Sequence, residues 1–92
     1  MTPELSQRPR LAPGCRLNEK SQPQRVLLMP ERALRLNGPS LEIIELCDGT
    51  KTVTEIVSAL QKRYAKAAPE KVQQDVIQYL GRLNDQRALD FE

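Results

Sequence analysis

The side chains able to do covalent chemistry are few and far apart. The chain has no histidine, so the usual general base is missing, and its two cysteines, Cys15 and Cys47, stand 32 positions apart. Neither has a neighbour at metal-ligand spacing, which excludes a zinc or haem motif. Gly14, Gly38, Gly49 and Gly81 are too scattered to cradle a phosphate. The acidic residues fall on solvent-facing positions of expected helices rather than beside a nucleophile. No enzyme activity, metal or cofactor is therefore expected. Two lone thiols, with no signal peptide and no long apolar span, fit a reducing cytoplasm away from membranes, each cysteine packing as a small hydrophobe.

Recognition is the chemistry that remains, and charge is its first instrument. The net charge is +2 over 92 residues, but it is unevenly spread. Residues 1–35 hold seven Lys/Arg against three Glu, and residues 36–92 hold seven against nine acids. The basic part suits an acidic partner, or is solvated surface charge that keeps the protein soluble. One Phe, two Tyr and no Trp leave an aliphatic core and little to stack on single-stranded nucleic acid.

The elements that must position these charges centre on residues 26–49. Val26, Leu27, Leu28 and Met29 form an apolar run between Pro23 and Pro30, too short for a helix, and read as a strand. Ala33-Leu34-Arg35-Leu36-Asn37 alternates like a half-buried strand, and Cys15-Arg16-Leu17 is a weaker candidate beyond the polar turn 18–24. Ser40 and Gly49 are the expected N-cap and C-terminal stop of a first helix. Its apolar residues Ile43, Ile44, Leu46 and Cys47 cover about 160° of its circumference. Thr52 and Glu55 have capping-box spacing, opening a helix with a stripe of Val53, Ile56, Val57, Leu60 and Tyr64. Pro69 opens a third helix over about residues 69–84, with a stripe of Val72, Val76, Tyr79, Leu80 and Leu83. Ile77 lies off that stripe, as a rim hydrophobe or as the edge of a groove. Gly81 is out of place in a helix interior unless a neighbouring backbone passes close.

Residues 1–13, with three prolines, read as an extended arm that folds back or exchanges between protomers of a homodimer. Residues 14–92 then form a single domain. The fold class is α+β and winged-helix-like, a three-stranded antiparallel N-terminal sheet followed by three α-helices. A winged helix suggests a DNA-binding regulator as the alternative function. Against it, the third helix carries Lys71 and Arg82 balanced by Glu70 and Asp75, not the basic face a groove requires.

The run PQRVLLMPERALRLN, then LEIIELCDGTKTVTEIVSALQKRY, then VQQDVIQYLGRLNDQRAL, resembles the pyrroloquinoline quinone biosynthesis protein D family over about residues 9–90. Its most specific pieces are Leu28-Met29-Pro30-Glu31, Cys47-Asp48-Gly49 and Asp75-Val76. The chain departs from the pattern at Gln24-Arg25, where an aromatic residue is expected, and at Ala88, where a glycine is. The resemblance implies a non-catalytic peptide chaperone, which binds a ribosomally made precursor peptide and presents it to a radical S-adenosylmethionine enzyme. It also implies that the peptide binds as an added strand along the third strand, beside the third helix. An exposed edge offers unpaired amides and carbonyls to such a peptide, and adjacent pockets set specificity. On this expectation the edge is Ala33, Leu34, Arg35, Leu36 and Asn37, the helix wall is Gln73, Ile77 and Leu80, and Arg32 and Arg35 attract peptide carboxylates.

Overall fold

The structure, a computed structural model, describes residues 3–19, 21–36 and 38–92. In chain order its elements are β1 (Pro9–Leu11), β2 (Arg16–Leu17), β3 (Val26–Met29), β4 (Arg32–Arg35), α1 (Pro39–Glu45), α2 (Val53–Arg63), α3 (Pro69–Asp85) and β5 (Leu89–Phe91).

Strands β2, β3 and β4 form an antiparallel sheet in that order. Pro30 and Glu31 alone connect β3 to β4, and the ladder starts at once with Met29 opposite Arg32. The short connection is why β4 begins one residue earlier than alternation alone suggests. At the other end of β3, Asn18 closes the polar turn. Its Oδ1 accepts the Val26 N–H at 3.0 Å and its Nδ2 donates to the Gln24 carbonyl at 2.8 Å. Leu27, fully buried, faces the helices with Leu34 and Leu36, while Val26 and Leu28 lie half-buried on the outer face.

Helix α1 departs from expectation at both ends. Gly38, at φ 54°, is the N-cap, and Pro39 occupies the first turn, where its missing N–H costs nothing. Ser40 thus lies inside the helix rather than capping it. The helix stops at Glu45 because the next turn tightens, with Leu46 donating to Ile43 and Cys47 to Ile44. The chain is then pulled sideways: Asp48 bridges to Arg10, and the Gly49 N–H bonds the Pro9 carbonyl at 3.0 Å. The left-handed Gly49 serves that crossing rather than the helix end.

Helix α2 opens with both halves of its capping box, Glu55 N–H to Thr52 Oγ1 and Thr52 N–H to Glu55 Oε1. Its far end is tied to α1, since the Tyr64 hydroxyl donates to Glu42 Oε1 at 2.9 Å and Arg63 lies 3.4 Å from Oε2. Helix α3 ends in a Schellman motif. The Arg87 N–H bonds the Asn84 carbonyl and the Ala88 N–H bonds the Leu83 carbonyl, both at 2.9 Å. The left-handed residue of that motif is Arg87, at φ 62°, not Ala88, which is fully buried. A side chain there costs about 1 kcal/mol that glycine would not.

Residues 1–13 contribute a strand to the fold. Strand β1 pairs antiparallel with β5, Pro9 opposite Phe91 and Leu11 opposite Leu89, and Arg10 meets Glu92 at 3.0 Å. Upstream, the Gln7 and Leu5 carbonyls accept the free Val53 and Thr54 amides at the start of α2. This two-stranded sheet adds to the one expected, and periodicity could not reveal it, because three-residue strands at opposite ends of the chain carry no pattern of their own. The core between sheet and helices is aliphatic: Leu27, Leu36, Ile44, Ile56, Leu60, Leu80, Leu83 and Leu89 are each 2% exposed or less. Gly81 is buried with them. Among the described residues no helix is long and apolar enough to cross a membrane.

Candidate functional site

Strand β4 is the outer strand of its sheet, and the ladder tells which of its groups are free. The Leu36 N–H bonds the Arg25 carbonyl at 2.9 Å. With Leu27 opposite Leu34 and Met29 opposite Arg32, alternation turns the polar backbone groups of residues 32, 34 and 36 toward β3. Ala33 and Arg35 turn theirs to the open edge. Two N–H and two C=O groups are thus offered to whatever lies alongside.

The start of β4 faces the end of α3. Gln86 and Arg87, at its C-terminal end, share a cavity of about 510 Å³ with Cys15, Met29, Glu31 and Arg32 at the start of β4. Farther back on the helix, Asp75, Gln78, Tyr79 and Arg82 face Ser40 and Ile43 of α1 across a second cavity of about 250 Å³. Asp75 to Gln86 form a wall about 16 Å long. The wall is amphipathic. Burial pushes the Tyr79 phenol above its ordinary range, and its hydrogen bond with Ser40 partly offsets this.

The expected residues divide accordingly. Arg32, Ala33 and Arg35 are exposed along the edge, and Leu34 is turned toward the core. Leu36 and Leu80 are 2% and 0% exposed, so they are core residues with no surface to offer. Asn37 lies outside the described residues. Ile77 and Gln73 sit about 160° and 120° around α3 from Tyr79, on the flank turned from α1. Asp75, Gln78, Tyr79, Arg82 and Gln86 are the α3-side residues that line the two cavities. Tyr79 packs its ring against the core, as its place in the apolar stripe suggests, and carries its polar tip to Ser40.

Arg16, Arg32, Arg35, Arg82 and Arg87 are exposed and have no ion pair among the described residues, whereas Asp75 is held by Lys71 at 3.1 Å. The buried thiol of Cys47 carries little reactivity. Burial, with Asp48 nearby, pushes Cys47 up to about 12, and its Sγ donates to the Ile43 carbonyl at 3.1 Å. Among the described residues no cluster of three or more His, Cys, Asp or Glu could hold a metal ion.

Residues 24–89 match the family model of coenzyme PQQ synthesis protein D (PqqD). The chain is 38% identical over 78 residues to the PqqA binding protein of Stutzerimonas stutzeri, covering 84% of this chain and 83% of that one. It is 34% identical over 83 residues to the bifunctional coenzyme PQQ synthesis protein C/D of Methylorubrum extorquens, 89% of this chain but 22% of that longer one. Among solved structures it is similar to the PqqD truncation of Methylobacterium extorquens PqqCD, described as a functional, stand-alone recognition element for ribosomally synthesised and post-translationally modified peptides. The TM-score is 0.69 at 34% identity, covering 89% and 87% of the two chains. A model match over most of the chain and relatives alike in length and fold place this chain in the PqqD family.

Proposed function

We propose that this protein is a non-catalytic peptide chaperone of pyrroloquinoline quinone biosynthesis, and that the precursor peptide PqqA binds it as an added strand on β4. The observation that carries this reading is the open edge at Ala33 and Arg35, whose start shares a cavity with the end of α3. The peptide satisfies the edge amides and carbonyls, and its alternate side chains meet the Tyr79 flank of α3. Relatives named for binding PqqA support the choice of ligand. The bound peptide is then presented, in the cytoplasm, to a radical S-adenosylmethionine enzyme that performs the chemistry. The helices behind the β-hairpin are arranged as in a winged helix, with the hairpin used for strand addition instead of nucleic acid. Residues 14–92 form the recognition domain, and residues 1–13 fasten it.

Isothermal titration with synthetic PqqA peptide, against a duplex DNA control, tests this reading. The discriminating variant is Ala33→Pro. It removes an N–H that β3 does not use, so the sheet tolerates it, and it blocks a strand from docking on that edge. One-to-one peptide binding that weakens about tenfold or more in Ala33→Pro, with unchanged circular dichroism, is the expected result. Equal affinity in the two proteins, or DNA binding without peptide binding, overturns it.

A further inference from the structure

We infer that the cavity at the start of β4 is a carboxylate subsite, which takes one Asp or Glu side chain of the bound peptide between Arg32 and Arg87. The inference rests on the strand-addition reading above and assigns what that edge selects.

Two observations carry it. The first is the lining of the cavity. Of about 510 Å³, it is bordered by Arg32, Arg87, Glu31 and the Gln86 amide, over a floor that includes Cys15 and Met29. Neither guanidinium has an ion pair among the described residues, and two cations against one carboxylate leave the cavity net positive. An Arg fork suits a carboxylate better than any other peptide side chain. The second is Arg87 itself. It occupies the left-handed position of the Schellman motif, at φ 62°, where glycine is the more stable choice. A long cation held at a strained position, facing a cavity, points to a use outside folding. Position completes the argument. The cavity begins at Arg32, one residue before the first open edge group at Ala33, so a peptide paired with Ala33 and Arg35 passes its mouth.

The subsite therefore makes binding and stability move in opposite directions. Arg87→Gly relieves the backbone and raises the melting temperature, by about 4 °C, yet weakens PqqA binding about tenfold. Arg87→Lys keeps the charge and recovers part of that loss. A set of PqqA peptides, each with one Asp or Glu changed to Asn or Gln, contains one that binds the wild type about tenfold more weakly and loses nothing further on Arg87→Gly. Unchanged affinity in Arg87→Gly, or losses that simply add for every peptide, overturn the subsite even if Ala33→Pro abolishes binding. If Ala33→Pro and Arg87→Gly both bind like the wild type, the strand-addition reading falls and the subsite with it.

Discussion

The β1–β5 ribbon and the β4 edge are short strands of one chain treated in opposite ways. At the ribbon every device for closing an edge is used. Pro9–Leu11 pairs with Leu89–Phe91, Arg10 is matched by Glu92, and the Pro9, Gln7 and Leu5 carbonyls take up free amides of the α1–α2 loop and the α2 start. At β4 none is used: Ala33 and Arg35 keep open backbone groups, and Arg32 and Arg35 keep open charges. An uncovered edge in a small protein risks aggregation. Keeping one at β4 while the ribbon is fastened is what strand addition requires.

The comparison can be broken from either side. The largest effect is expected at the fastened end, where Leu89→Ala removes a fully buried side chain beneath the ribbon and should cost about 3 kcal/mol in urea unfolding. If peptide affinity extrapolated to the folded fraction falls as well, the two regions are coupled and the division is wrong. Next, Thr52→Ala removes the α2 cap and should cost about 1 kcal/mol, again without altering affinity. Smaller still, Arg35→Gln at the open edge should leave stability unchanged and slow association about threefold at low salt, an effect that fades at high salt. An association rate equal to the wild type at low salt would show that Arg35 does not steer the peptide.

The gentlest test uses pH. Hydrogen bonds from the Thr50 hydroxyl and amide, with Lys51 nearby, hold the Asp48 carboxyl at about 2, below its ordinary 3.8. A folded-state value below the unfolded one means that this stabilisation is complete above about pH 4 and is lost as pH falls toward 2. Asp48→Asn should flatten the acid limb of the melting-temperature profile slightly, since Asp48 is exposed and solvent screens it. The same slope in variant and wild type would place the acid sensitivity elsewhere.

Particular residues show where legibility ended. Thr52 and Glu55, Val26 to Met29 and the Val72-Val76-Leu80-Leu83 stripe could be read directly, because caps and periodicities are local properties of ten or so residues. Ser40 misled because a polar residue after a glycine-proline pair looks like a cap, yet Pro39 entered the helix first. Ile77 marks a different limit. It is the odd apolar residue on α3, and the side of a helix that meets a strand edge depends on how the helix is rotated against the sheet, whereas a stripe defines only the core-facing side.

The amino-acid order by itself determined the β3–β4 hairpin, the three helices, the aliphatic core and the excess of arginine before residue 36. These follow from side-chain types and short-range spacing. Only the tertiary structure decided that residues 9–11 close against 89–91, that Leu36 and Leu80 are sealed inside, that Tyr79 faces α1 at Ser40, and that Arg87 holds the left-handed turn beside Arg32. Each of those depends on contacts between residues far apart in the chain, and pairings of that kind are set by packing, which a local pattern does not contain.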